Sequence, residues 1–109
     1  MKTLKNIESK IFLLSDLSHI RQHWKEEHLQ VVFTNGCFDI IHLGHIDYLS
    51  KAADLGQKLI IGVNSDSSVR KLKGSGRPIQ DEKSRLMILA SLSFVDAVVL
   101  FEEETPFNL

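Results

Sequence analysis

The chain has 109 residues, which is room for one domain, and 43% of them are hydrophobic, which is enough for a core. Its formal net charge of −1 lacks the basic excess typical of nucleic-acid-binding proteins. The single cysteine, Cys37, excludes an intrachain disulfide, and no apolar run approaches the ~20 residues that span a bilayer. Because the N-terminus also lacks a signal-peptide core, we expect a cytoplasmic, soluble protein that binds neither nucleic acid nor membrane.

The first third of the chain predicts a helix followed by a buried strand. Residues 1–14 are interpreted as a lead-in, and residues 15–29 carry apolar side chains at helical spacing, with Ser15 or Asp16 as the candidate cap. The run QVVFTN, residues 30–35, is short, apolar and rich in β-branched residues. Such a run is typical of a strand that is buried on both faces.

Helices and buried strands alternate through the rest of the chain. The predicted elements are a helix over 45–56, a strand over 58–64, a short helix over 65–74, a helix over 80–93 and a strand over 96–101. This alternation predicts a single α/β domain with a parallel sheet between two helical layers, which is a Rossmann-like architecture. Ligands of such sheets bind at the carboxyl ends of the strands.

The C-terminal segment EEETPFNL predicts the beginning of a helix, with Thr105 as N-cap and Pro106 at the first helical position. Only three strands are predicted, whereas doubly wound sheets commonly have about five or six. If the first strand is central, one of its edges has no neighbour. We therefore expect a domain that is incomplete at its C-terminus or is completed by a partner subunit.

The segment HLGH, residues 42–45, lies where the first predicted strand gives way to a helix. The free N–H groups and positive dipole end of a helix N-terminus attract phosphate and disfavour a charged imidazole. Gly44 would let a phosphate approach the backbone, and neutral His42 and His45 would donate hydrogen bonds to it. Together they predict a site that stabilises charge on a phosphoryl group. Two ordinary surface histidines are the alternative.

Neighbouring residues carry weaker predictions. A transition-metal site of His42, His45 and Asp39 is disfavoured, because no further firm ligand is evident. Cys37 is better explained as a small packing residue than as a catalytic thiol. Gly36 supplies a turn or a close backbone approach, and Asp39 either anchors the loop or approaches a magnesium-bound phosphate.

The segment VRKLKGSGRPI forms a second cluster, in which four cations fall within eight residues and glycines surround the last two. The cations are Arg70, Lys71, Lys73 and Arg77. A solvated basic face would explain them equally well. However, they follow the second predicted strand and so lie with the histidines at the carboxyl ends of the strands, an edge that we call the rim. Polyphosphate binding is therefore predicted.

Two further features near this rim are interpreted structurally. The segment Asn64–Asp66 more often caps a helix than contacts a ligand. Arg85, early in the following helix, is predicted to be a surface residue. Neither a GxxxxGK[ST] nor a GxGxxG motif is present, which disfavours the usual kinase and dehydrogenase classes.

The segment GCFDIIHLGHIDYL, with HxGH after a strand, resembles the cytidylyltransferase-like nucleotidyltransferase superfamily. The segments GVNSD, LKG and RPI make residues 30–109 similar to one branch, the adenylyltransferase domain for D-glycero-β-D-manno-heptose 1-phosphate. The resemblance implies transfer of a nucleotidyl group from a nucleoside triphosphate, with Mg2+, to a phosphorylated sugar. It also implies association in pairs, as a homodimer.

The resemblance assigns roles to individual residues. His42 and His45 would bind the triphosphate and stabilise the transition state, and Lys73 would be the cation at the phosphates. The backbone of Gly36, Cys37 and Phe38 would approach the nucleotide, with Arg77 as a weaker assignment. The later Ser/Thr-rich motif of the superfamily is absent before Leu109. The alternatives are therefore a cytidylyltransferase for glycerol 3-phosphate or a similar alcohol, and a non-catalytic nucleotide-binding fragment.

Overall fold

A computed structural model of the chain describes residues 3–102. They form one parallel sheet of four strands in the order β1-β4-β3-β2. The strands are β1 (Ile11–Phe12), β2 (Val31–Gly36), β3 (Lys58–Asn64) and β4 (Ala97–Phe101). The predicted α/β, Rossmann-like fold is confirmed. The helix start expected at Thr105 and Pro106 lies outside the described residues.

Residues 3–102 also form five α-helices and a 3-10 turn, of which the first helix precedes β1 and the others lie between strands. They are α1 (Leu4–Glu8), the 3-10 turn (Leu14–Asp16), α2 (Leu17–Glu26), α3 (Leu43–Ala53), α4 (Asp66–Lys73) and α5 (Glu82–Ala90). All four predicted helices are present, although α3 begins two residues earlier than expected. Asp16 occupies the N-cap position of α2 but makes no capping hydrogen bond with its side chain. No helix in the described part of the chain is long and apolar enough to cross a membrane.

The lead-in contains more structure than the sequence predicted. Leu4–Glu8 is helical, and Ile11 and Phe12 pair with Val98 and Val99 as a short edge strand. The sequence interpretation of residues 1–14 as a lead-in assigned no element here, because two strand residues are too few to produce a recognisable alternation of side chains. The strand is formed by its pairing with β4 rather than by a local pattern.

Both faces of the sheet are covered, as parallel strands require. Alternate residues of β3 point to opposite faces: Leu59, Ile61 and Val63 join one core cluster, while Ile60 joins the other. The first cluster includes Leu49 of α3 and residues of α5, whereas α2 contributes to the second through Leu17. The carboxyl ends of β2 and β3 are thereby fixed side by side.

β2 lies at one edge of the described sheet. Within residues 3–102 it pairs only with β3, from Val31 opposite Lys58 to Gly36 opposite Val63. A groove of about 350 Å³ lies between β2 and α3, with Phe33 and Tyr48 among its partly exposed walls. The described part of the sheet thus has the open edge that the sequence led us to expect beside the first long strand.

Candidate functional site

The two histidines meet at the N-terminus of α3. His42 has the extended backbone of an N-cap residue, and its Nδ1 accepts a hydrogen bond from the backbone N–H of Gly44 at 3.0 Å. His45 lies three positions later, and its Nδ1 accepts from the backbone N–H of His42 at 3.2 Å. The ring centroids are 4.2 Å apart. This reciprocal arrangement is a capping box in which imidazoles replace the usual hydroxyl and carboxylate.

These hydrogen bonds fix the tautomer of each neutral imidazole. Because Nδ1 is the acceptor in both rings, the proton of each neutral ring resides on Nε2. Partial burial lowers the pKa of His45, and the nearby charges of His42 and Lys73 lower it further. A lowered pKa favours the neutral form of His45, and donation of a hydrogen bond from this ring to a phosphate stays a prediction.

Gly44 makes room for the imidazole of His42. A Cβ at this position would lie 2.8 Å from Cε1 and 3.1 Å from Nδ1 of His42. The ring would have to move and would lose its bond to the Gly44 N–H. The glycine in HxGH is thus explained by the seating of the first histidine, and close approach of a phosphate to its backbone stays a prediction.

The loop after β2 holds a buried phenylalanine in an uncommon backbone conformation. Phe38 has a φ of 51°, in the left-handed region, and is 6% exposed. A Cβ on Gly36 would lie 3.0 Å from the Phe38 ring, and the same ring lies 5.8 Å from that of His45, centroid to centroid. Gly36 and Phe38 therefore shape the floor beneath His45. Approach of the Gly36–Phe38 backbone to a nucleotide stays a prediction.

Asp39 anchors the loop that precedes α5. Its carboxylate accepts hydrogen bonds from the backbone N–H groups of Ile79 and Gln80 and from Arg77 Nη1, at 2.8 to 3.0 Å. Burial alone would raise the pKa of Asp39, but these bonds outweigh it and hold the pKa at about 2. Of the two roles open for Asp39, the contacts support loop anchoring.

Arg85 is buried, so its prediction as a surface residue was wrong. Arg85 is 0% exposed, and its guanidinium donates hydrogen bonds to three backbone carbonyls and one carboxylate. The acceptors are the carbonyl oxygens of Cys37, Asn64 and Gln80 and the Asp66 carboxylate. The sequence does contain a signal, because Arg85 precedes Leu89 by four residues and so shares the apolar stripe of α5.

The basic cluster surrounds the end of α4. Ser65 caps this helix by accepting from the Ser68 N–H, which confirms the capping interpretation of this segment. Lys73 is the last helical residue, is exposed, and lies close enough to His45 to affect its pKa. Arg77 is half-buried and paired with Asp39 at 2.9 Å. The charge of Lys73 thus acts on His45, whereas part of the charge of Arg77 is already compensated by Asp39.

Cys37 lies at the same rim and is half-buried, as a reduced thiol. Its carbonyl accepts from Arg85 at 2.7 Å, so that backbone oxygen already has a strong partner. This contact involves the backbone of Cys37, and the packing role of its thiol stays a prediction.

The contribution of the protein to Mg2+ binding is limited by these contacts. Among residues 3–102 no group of three or more His, Cys, Asp or Glu side chains is arranged to hold a metal. Both oxygens of Asp39 already accept hydrogen bonds. Mg2+ commonly binds through substrate phosphates and water with few protein ligands, and an ion that arrives here with a triphosphate stays a prediction.

Comparison with known proteins shows the family of this chain. The model of the cytidylyltransferase-like family matches residues 33–108, which include the histidine turn and the basic cluster. The chain belongs to the cytidylyltransferase-like family. The resemblance that HxGH indicated is thereby confirmed.

Its relatives in this family include proteins named "Bifunctional protein HldE". The protein from Nitrobacter hamburgensis is 53% identical over 94 residues, which are 86% of this chain and 19% of the relative. The protein from Helicobacter acinonychis is 53% identical over 106 residues, which are 97% of this chain and 22% of the relative. The chain thus spans about a fifth of the length of these curated relatives.

A solved structure has the same fold. It is the crystal structure of the lipopolysaccharide core biosynthesis protein from Thermoplasma volcanium, with a TM-score of 0.65 and 40% sequence identity. The match covers 73% of this chain and 64% of that protein. This cytidylyltransferase-like domain therefore shares its architecture with a protein named for lipopolysaccharide core biosynthesis.

Proposed function

We propose that this domain is a nucleotidyltransferase that transfers AMP from ATP to D-glycero-β-D-manno-heptose 1-phosphate, giving ADP-heptose and pyrophosphate. The observation that carries the proposal is the pair of imidazoles at the N-terminus of α3, each with its Nδ1 occupied by a backbone N–H. Each neutral ring then offers an Nε2–H donor beside a helix N-terminus, which favours anionic phosphate.

The chemistry follows from what such donors stabilise. An oxygen of the sugar phosphate attacks the α-phosphorus of ATP and forms the new P–O bond. The bond from that phosphorus to the oxygen bridging to the β-phosphate breaks, and pyrophosphate leaves with the electron pair. Negative charge increases on the oxygens around the α-phosphorus, and hydrogen bonds from His42 and His45 stabilise it there. No side chain needs to act as a nucleophile.

Two other groups complete the proposed site. Lys73 supplies a positive charge next to His45, suited to the β- and γ-phosphates that become pyrophosphate. Mg2+, when bound with the triphosphate, neutralises phosphate charge and supports the departure of pyrophosphate. This chain would hold the ion indirectly, by binding the triphosphate. Asp39 would not be a ligand, because its carboxylate already accepts hydrogen bonds from the loop that precedes α5.

The choice of ATP and a heptose 1-phosphate is supported by the branch that the sequence resembles. The segments GVNSD, LKG and RPI form the end of β3, the end of α4 and the loop that Asp39 anchors. Relatives named HldE and a structural neighbour named for lipopolysaccharide core biosynthesis point in the same direction. A cytidylyltransferase for glycerol 3-phosphate is the alternative, because the matching family is named for cytidylyltransferases.

Pyrophosphate release tests the proposal and separates the alternatives. The protein is incubated with Mg2+ and either ATP plus heptose 1-phosphate or CTP plus glycerol 3-phosphate. Release with the first pair alone is expected. Release with the second pair alone would replace the proposal by the cytidylyltransferase. ATP binding with no release from either pair would identify a non-catalytic nucleotide-binding module.

A further inference from the structure

We propose that Arg85 is a positioning residue that fixes the loop of the histidine site against the loop that precedes α5. The inference rests on the proposed function, because the geometry it maintains is that of the nucleotidyl-transfer site. Arg85 itself is 0% exposed and so cannot touch a substrate. Its effect has to pass through the groups it holds.

The acceptors of Arg85 come from four different chain segments that meet at one rim. Nη1 donates to the Cys37 carbonyl, just after β2, at 2.7 Å and to the Asn64 carbonyl, at the end of β3, at 2.6 Å. Nη2 donates to the Asp66 carboxylate, at the start of α4, at 2.7 Å. Nε donates to the Gln80 carbonyl at 3.0 Å. One side chain thus connects both strands of the site to α4 and to the loop.

The backbone of Gln80 makes two hydrogen bonds to side chains of the site. Its carbonyl accepts from Arg85, while its N–H donates to Asp39 at 3.0 Å. Asp39 lies two residues after Cys37, whose carbonyl also accepts from Arg85. The stretch Cys37–Asp39 and the Gln80 peptide are therefore fixed to each other by Arg85 and by Asp39.

The stretch Cys37–Asp39 lies beside the ring of His45. Its middle residue is Phe38, whose left-handed backbone and buried ring form the floor beneath His45. A shift of the Cys37 carbonyl would move Phe38, and with it the orientation of His45. Small displacements of catalytic groups are costly, since an error of about 1 Å can reduce a rate by ~100-fold.

Only an arginine provides this set of contacts. The guanidinium is planar, stays protonated and has five donors in a fixed fork, whereas an ammonium is a compact point charge. A buried cation with one carboxylate partner contributes little net stability compared with an apolar side chain of similar size. The position is therefore better explained by the geometry that the guanidinium imposes than by the stability it adds.

Amide hydrogen exchange, followed by mass spectrometry, tests the proposal without requiring activity. Arg85→Lys keeps the charge and removes the fork, and Arg21→Lys on the exposed surface of α2 is the matched control. We expect exchange in residues 36–46 and 74–81 to rise at least ~10-fold in Arg85→Lys, with β3 unchanged. Arg21→Lys is expected to match the wild type throughout.

Two outcomes would overturn the positioning role. Exchange that accelerates equally in β3 and β4 would show that Arg85 supports the whole fold, and unchanged exchange would show that it supports neither loop. If Arg85→Lys does not fold, Asp66→Asn replaces it, because that carboxylate is 31% exposed and its loss leaves the three carbonyl bonds in place. Because Asp66 is the ionic partner that orients the guanidinium, the same two segments should then exchange faster, but by less than in Arg85→Lys.

Kinetics provide the second readout. With pyrophosphate release as the assay, kcat of Arg85→Lys is expected to fall at least ~10-fold while KM for ATP changes less than about threefold. A rise in KM with kcat unchanged would contradict positioning of the histidines. If the wild type releases no pyrophosphate, the proposed function fails, whereas the exchange experiment still decides the role of Arg85.

Discussion

The imidazoles of His42 and His45 each accept a hydrogen bond from a backbone N–H group in the turn that begins α3. His42 Nδ1 caps α3 through the Gly44 N–H, and His45 Nδ1 accepts the His42 N–H. The same two bonds that begin the helix therefore determine which nitrogen of each ring carries the proton. Helix capping and the chemistry of the site depend on the same atoms, and substitutions can separate the two.

Replacement of His42 distinguishes capping from phosphate binding. His42→Ala removes the cap and is expected to reduce the free energy of unfolding by about 0.5–2 kcal/mol, measured by urea denaturation. His42→Asn keeps an oxygen that can cap and should recover most of that stability. Both variants should lose nucleotidyl transfer, because neither has an Nε2–H. Activity recovered together with stability in His42→Asn would show that His42 only caps the helix.

His45→Ala tests transition-state stabilisation. If His45 donates to the charge that develops at the α-phosphorus, kcat should fall by ~100-fold or more, as for loss of an oxyanion donor. His23→Ala is the control, since His23 is an exposed histidine of α2 paired only with Glu27. Turnover near the wild-type value in His45→Ala would exclude this role.

The charge of Lys73 should be detectable in the titration of His45. The pKa of His45 lies below its usual value of 6.5, through burial first and then through the charges of His42 and Lys73. Lys73→Gln removes one of these charges, so the pKa of His45 should rise, as measured from its ring protons by NMR. Lys83→Gln, on the exposed side of α5, should leave that pKa unchanged.

The same shift predicts the pH profile of the proposed nucleotidyl transfer. Neutral His45 is the active form in the proposed mechanism, so kcat/KM should be level near pH 7 and fall in acid below the pKa of His45. In Lys73→Gln this acid limb should move to higher pH along with the pKa. A limb that stays in place while the NMR titration moves would assign it to another group.

Gly74 and Gly76, in the loop that follows α4, form a matched pair for substitution. Gly74 has a φ of 103° with open space around its Cα, whereas Gly76 has open space and no positive φ. Gly74→Ala should therefore destabilise the fold by about 1–3 kcal/mol through backbone strain alone. Gly76→Ala should be neutral or slightly stabilising. Equal effects in thermal or urea denaturation would contradict this conformation of the loop.

The sequence predicted those parts of the fold that have a long local pattern. Strands such as Lys58–Asn64 are continuous apolar runs, and the turn from Gly36 into α3 was marked by its glycines and histidines. β1 was missed because its two residues become a strand only by pairing with β4. Pairing between distant segments leaves no periodic signal in so short a stretch.

The site was predictable in its residue types but not in its connections. The pairing of Asp39 with Ile79 and Gln80 spans about 40 positions, and local spacing does not encode which loop a carboxylate meets. Arg85 was misassigned because charged residues are mostly exposed, and burial became possible only where four segments bring their acceptors together. The partners of Asp39 and the burial of Arg85 therefore depend on tertiary contacts, which the local sequence pattern does not show.

Asp39→Asn tests the anchoring of the loop and carries a pH dependence of known sign. The folded-state pKa of Asp39, about 2, lies below its usual value of 3.8, so its contribution is complete above about pH 4 and is lost as the pH falls toward 2. Asn can keep its Oδ1 toward the Ile79 and Gln80 N–H groups, but its NH2 group then faces the Arg77 donor and the carboxylate charge is lost, so the variant should lose about 1–3 kcal/mol of unfolding free energy at pH 7. The difference from the wild type should shrink between pH 4 and 2. Asp54→Asn, at an exposed position, should show neither effect. A difference that stays constant down to pH 2 would mean that the ionised Asp39 carboxylate does not hold the loop.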